Sequence, residues 1–110
     1  MNNSERLAKF FEAENKRDWD TYASFLHPDV MWFMHSEENH IPCAGRDEYM
    51  ERIQSGYANI TEGSFVCESM HVSKSGNRIV AHLRSSLGNR TVSIFDFEDG
   101  KIRWEHEYTL

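Results

Sequence analysis

The stretch Ser64–Thr109, SFVCESMHVSKSGNRIVAHLRSSLGNRTVSIFDFEDGKIRWEHEYT, decides the fold. It divides into four runs rich in β-branched and aromatic residues: Ser64–Val72, Arg78–Leu87, Thr91–Glu98 and Lys101–Thr109. Lys74-Ser75-Gly76-Asn77, Gly88-Asn89 and Asp99-Gly100 stand between them. Gly-Asn and Asp-Gly between strand runs mark tight hairpins, because primed turns need residues that tolerate positive φ. The segment therefore reads as a four-stranded antiparallel meander.

The first half of the chain reads differently. Leu7, Phe10 and Phe11 recur at helical spacing behind a cap at Ser4, which predicts a helix from about residue 4 to residue 17. Asp18 can cap a second, shorter helix carrying Trp19, Tyr22, Phe25 and Leu26, which His27-Pro28-Asp29 stops, since the residue before proline is pushed out of the α region. Val30–Met34 is a continuous apolar run too short for a helix, and reads as a strand covered on both faces. Ser36–His40 reads as a polar loop leading through Pro42 and Gly45 into a third helix bearing Tyr49, Met50, Ile53 and Tyr57. Helices segregated from an antiparallel sheet define an α+β class, with the helices laid on one face, an arrangement that can enclose a pocket.

Composition bounds the function. The chain of 110 residues is long enough for a single core and reads as one domain, residues 1–110. With 18 acidic against 12 basic residues, a net charge of −6 and no basic block, it lacks the electrostatic footprint of a nucleic-acid binder. No apolar run approaches a membrane span, and the N-terminal residues precede no signal-peptide core, so a cytoplasmic protein is expected. Cys43 and Cys67 sit in no Cys-x-x-Cys pair, and are expected to be free thiols. His35, His40 and Cys43, with Glu37 and Glu38, lack the spacing of a zinc site, and no phosphate-binding loop or nucleophile elbow occurs. No metal and no cofactor is expected.

Three segments together carry a family resemblance: Phe25-Leu26-His27-Pro28-Asp29-Val30, Pro42-Cys43-Ala44-Gly45-Arg46-Asp47-Glu48-Tyr49, and Phe95-Asp96-Phe97-Glu98-Asp99-Gly100-Lys101-Ile102. In this order and spacing they resemble the nuclear transport factor 2-like superfamily, which includes SnoaL-like polyketide cyclases and ketosteroid isomerases. The resemblance covers nearly the whole chain. It implies a cone-shaped curved sheet wrapped around three helices, a small-molecule ligand in the cone, and a homodimer joined through the convex sheet face. The positions matching the isomerase base and its two donors hold Met34, Phe10 and Ser93, none of which can serve steroid isomerisation.

Which meander face lines the cone is the open question. By alternation, Ile79, Ala81 and Leu83 oppose Val80, His82 and Arg84, and Ile102, Trp104, His106 and Tyr108 oppose Arg103, Glu105 and Glu107. Periodicity alone turns the apolar sets towards the helices. The resemblance instead turns Trp32, Met34, His82, Arg84, Ser93, Phe95, Glu105 and Glu107 inward, with Arg84 pairing Glu105 or Glu107 or meeting a ligand carboxylate. That second register leaves the apolar sets to a partner subunit. A slip of one residue interchanges the two registers. Two functions follow: a SnoaL-like binder or cofactor-independent acid–base enzyme acting on a small apolar or aromatic compound, or a non-catalytic dimeric accessory domain that binds another protein. An open cone favours the first and a filled one the second.

Overall fold

A computed structural model describes residues 1–36, 40–60 and 62–110. The chain runs α1 (Asn3–Lys16), α2 (Trp19–Ser24), β1 (Leu26–His35), β2 (His40–Ala44), α3 (Arg46–Tyr57), β3 (Phe65–Val72), β4 (Arg78–Ser85), β5 (Arg90–Glu98) and β6 (Lys101–Thr109). The six strands form one curved, unclosed sheet in the order β2-β1-β6-β5-β4-β3. All neighbours are antiparallel except β1 and β6, which run parallel.

The helices form where their sequence signals fall, with two adjustments. Asn2, not Ser4, caps α1: its Oδ1 accepts the Glu5 N–H at 2.9 Å, and Ser4 Oγ in turn donates to it. Asp18 caps α2 as expected, but the helix ends at Ser24, and Leu26 and His27 already belong to β1. Pro28 excludes helical backbone at His27, so the chain extends four residues before the apolar run begins. The meander strands agree with the sequence reading to within two residues at each end. Asp99 (φ 53°) and Gly100 (φ 75°) both occupy the left-handed region, the primed hairpin geometry their types favour.

Two expectations are corrected. The segment before α3 contains strand β2, paired with β1 from Met31↔Ala44 to His35↔His40, with Cys43 fully buried. Its short length and central proline hid it, and Pro42 is tolerated because β2 is an edge strand. Glu37 and Glu38 lie outside the described residues. β1, for its part, is not covered equally on both faces: Val30 and Trp32 are buried towards the helices while Met31 and Phe33 stay half-buried on the other side.

The core lies between the helices and the concave sheet face, where Leu7, Phe10, Tyr22 and Tyr49 meet Leu26, Trp32, Ile79, Phe95 and Ile102. Phe10 stacks on Tyr22 at 4.0 Å between ring centroids and meets Phe95 edge-on. Both cysteines are free, and no helix among the described residues is long and apolar enough to cross a membrane.

Candidate functional site

Strand register builds the site. On β6, Ile102 is buried facing Phe97, while two positions of that strand oppose one of β5, since Asp96 pairs Trp104 and Phe97 pairs Ile102. Arg103 is the extra residue of this bulge. It donates to the Asp29 carbonyl at 2.5 Å and stacks its guanidinium on Trp104. A bulge shifts the alternation by one, so Ile102, Glu105 and Glu107 share the concave face, and Trp104, His106 and Tyr108 share the convex one. Glu105 then lies between Trp32 of β1 and Phe95 of β5, and Glu107 between Met34 and Ser93.

Six of the eight residues picked from the sequence therefore lie on the concave side: Trp32, Met34, Ser93, Phe95, Glu105 and Glu107. His82 and Arg84 do not. β4 pairs Ala81 with Ser93 and Ile79 with Phe95, so Ile79, Ala81 and Leu83 face the helices, and His82 and Arg84 are exposed on the convex side. Arg84 pairs there with Glu68, the bulged residue of β3, at 3.4 Å, and not with Glu105 or Glu107. The physical reason is burial. Ile79 and Ala81 are fully enclosed, and turning β4 over would exchange them for an imidazole and a guanidinium. Ile79, Leu83 and Ile102 accordingly belong to the core, not to a subunit contact. His35, too, lies away from the cone, against His106 at 2.9 Å and in a ring stack with Tyr108.

The enclosed part of the cone is a cavity of about 160 Å³ walled by α1, α2, α3 and the sheet. A wider mouth of about 750 Å³ shares Trp32, Ile53, Phe65, Ser85 and Asn89 with it and carries Met34 and Arg52. Three carboxyl groups line the inner cavity: Glu14 from α1, and Glu105 and Glu107 from β6. None forms an ion pair with a Lys, Arg or His among the described residues. Tyrosines link two of them. Tyr49 donates to Glu105 at 2.5 Å, its hydroxyl lies 3.3 Å from that of Tyr22, Tyr22 donates to Glu14 at 2.8 Å, and Tyr57 donates to the other Glu14 oxygen at 2.5 Å.

Burial sets the electrostatics. It pushes the Glu105 carboxyl well above the usual carboxylate range, and the neighbouring Glu107 and Glu14 charges add to this against the Tyr49 hydrogen bond. Glu107 is raised to about 7, by burial first and Glu14 second. Glu14 is raised by burial, while the Tyr57 and Tyr22 hydroxyls and Arg17 oppose the rise. The Tyr22 and Tyr49 phenols are driven far up by burial and stay protonated donors. Trp32 Nε1 and Ser93 Oγ are buried with no hydrogen-bond partner among the described residues.

Glu14, Tyr22, Tyr49 and Tyr57 did not emerge as site residues from the sequence. The signal was present for Glu14: it stands seven residues after Leu7, four after Phe10 and three after Phe11, on the buried stripe of its helix. A carboxylate at such a position marks a pocket or a buried network. No group of His, Cys, Asp and Glu placed to hold a metal ion occurs among the described residues.

A curved sheet half-wrapped around three helices, with a carboxyl-lined cavity between them, defines the conical α+β scaffold of the nuclear transport factor 2-like superfamily. Within it, the chain belongs to the SnoaL-like domain family, whose model matches residues 7–105. Among solved structures, Bal32a from a soil-derived mobile gene cassette superposes with a TM-score of 0.87 at 16% identity, covering 97% of this chain and 88% of that one. A nuclear transport factor 2-like protein of unknown function from Cytophaga hutchinsonii ATCC 33406 gives 0.80 at 14% identity, over 100% and 91% of the two chains. A protein provisionally assigned as a SnoaL-like polyketide cyclase, from Jannaschia sp. CCS1, gives 0.80 at 15% identity, over 97% and 84%. At such identities these likenesses establish the fold and no activity. No curated protein matches the sequence.

Proposed function

We propose that this chain is a small-molecule-binding protein whose cone is equipped for general acid–base chemistry without a cofactor, with Glu107 as the proton acceptor and the Glu105–Tyr49 pair as a neutral hydrogen-bonding wall. The observation that carries this reading is the Glu107 carboxyl. Burial and the Glu14 charge raise it to about 7, in a cavity that also holds the donors Trp32 Nε1 and Ser93 Oγ, unpartnered among the described residues. A general base works best with a pKa near the working pH, and a binding cavity needs polar groups not already satisfied by the protein. The open cone supports this reading over a non-catalytic accessory domain, which a cavity filled by Trp32, Met34 and Phe95 would favour. Arg84 has no place in the site and so supplies no donor to a carboxylate ligand there. Met34, Phe10 and Ser93 still argue against steroid isomerisation.

Thermal-shift and NMR titration with small uncharged aromatic compounds tests the reading. Wild-type protein should be stabilised, and Ser93→Phe, which fills the cavity, should lose the response. Equal responses from the two proteins would refute a ligand in the cone.

As part of the same reading, two copies associate through the convex sheet face. Trp104 and Tyr108 are about two-fifths exposed there, beside the half-buried Phe33, Val80, Val92 and Ile94. A sheet with apolar groups on its outer face is covered most simply by a symmetric copy of itself.

A further inference from the structure

The inner cavity holds more acid than its walls balance. Glu14, Glu105 and Glu107 share it, and none has an ion-pair partner among the described residues. Tyrosine hydroxyls satisfy Glu14 and Glu105. Glu107 has no such hydrogen bond among the described residues, and burial and the Glu14 charge raise its carboxyl.

A second observation is independent of charge. Trp32 is 5% and Ser93 1% exposed, both line this cavity, and the indole N–H and the hydroxyl lack partners among the described residues. Indole nitrogen can only donate, so it calls for an acceptor on whatever fills the space. Much of the remaining wall is aromatic, with Phe11, Phe65 and Phe95 beside Trp32, and Ile53, Leu83, Asn89 and Thr91 also line it. Ring faces attract a cation and repel an anion.

We propose that the ligand is a small protonated amine that also carries a hydrogen-bond acceptor, its ammonium seated against Glu107 and Glu14 and its acceptor against Trp32 Nε1 and Ser93 Oγ. This rests on the reading of the cone as a small-molecule site, and names the class of molecule that site takes. A cavity of about 160 Å³ suits a body of one ring, since engineered cavities of about that size hold benzene. An anion would meet two or three carboxyls. A neutral molecule would leave Glu107 without a charged partner.

Affinity for such a cation depends on pH through Glu107. The titratable groups lining the cavity with it are Glu14 from α1, Tyr22 from α2, Tyr49 from α3 and Glu105 from β6. Tyr57 of α3 holds the other Glu14 oxygen, Arg17 lies over the Tyr57 ring at 4.0 Å, and Arg52 sits in the mouth. Raising the pH ionises Glu107 and strengthens the site.

Three probes of one shape test this by calorimetric titration: phenylethanolamine (cation), phenylethylene glycol (neutral) and mandelate (anion). At about pH 8 the amine should bind about tenfold or more tightly than the glycol, the equivalent of one partly desolvated ion pair, and mandelate weakest. At about pH 5.5 that preference should shrink to near unity. Glu107→Gln, nearly isosteric, should lose most of the preference and of its pH dependence, Glu14 holding the remainder, while Arg84→Ala on the convex face should retain both in full. Equal binding of glycol and amine at about pH 8, or a preference unchanged in Glu107→Gln, overturns the amine and leaves the cone a small-molecule site. Binding of none of the three overturns both.

Discussion

The Tyr49 hydroxyl donates to the buried Glu105 carboxyl at 2.5 Å, joining α3 to the central strand of the sheet at the floor of the cone. Glu105 is 4% exposed and meets no cation among the described residues, so this contact and its own protonation are what make its burial tolerable.

Tyr49→Phe should therefore destabilise the protein by about 1–3 kcal/mol, the usual effect of leaving a buried polar group unsatisfied. Urea denaturation at neutral pH measures it. Tyr57→Phe, at the half-buried end of the same network, should lose less.

Stability should fall as pH rises from about 4.5 to 7. Glu107 has a folded-state pKa of about 7 against 4.5 for the free group, so between these values the folded protein binds more protons than the unfolded chain. The contribution is fully present below the lower value and lost as pH passes the upper one. At about 1.4 kcal/mol per unit, the penalty above neutrality is about 3–4 kcal/mol. Glu107→Gln should match wild type at acidic pH and exceed it at about pH 8. Denaturation curves at both ends check this, and a stability gap independent of pH would contradict it.

Gly45 sets the entry of α3, with φ 90° and ψ 153°, a conformation that side-chain-bearing residues avoid. Its N–H bonds the Val30 carbonyl at 2.8 Å, and its own carbonyl accepts from Tyr49. Gly45→Ala should cost about 1–3 kcal/mol by strain alone, because an added Cβ meets only the Pro28 carbonyl at 3.9 Å. The same substitution should displace Tyr49 and weaken ligand binding, visible by titration.

Sedimentation at micromolar concentration should show a dimer, and Trp104→Glu should reduce it to a monomer. Leu83→Glu is no test of the interface, since Leu83 lines the cavity and its replacement would damage the core instead. A wild-type monomer would dismiss the association.

The sequence by itself determined every element except β2. Helical spacing in Leu7, Phe10 and Phe11, the proline stop at Pro28, and the Gly88-Asn89 and Asp99-Gly100 turns are local signals, set within a few residues by backbone sterics and capping. Their order sufficed for the α+β class, and the segments Phe25–Val30, Pro42–Tyr49 and Phe95–Ile102 carried the resemblance to the superfamily. Tertiary structure alone decided which faces meet. Alternation states that Ile79 and His82 lie on opposite sides of β4, but not which side is inside, and the answer came from the burial that Ile79 and Ala81 gain against the helices. The bulge at Arg103 is likewise invisible in the strand pattern. It rests on pairing with β5, and it moves Trp104 out while keeping Ile102 and Glu105 in. The network Glu105–Tyr49–Tyr22–Glu14–Tyr57 spans four elements and joins residues as far apart in the chain as Glu14 and Glu105, so no local spacing could announce it. Register and long-range hydrogen bonds are properties of the packed chain, because the energy that selects them appears only when both partners lose water together.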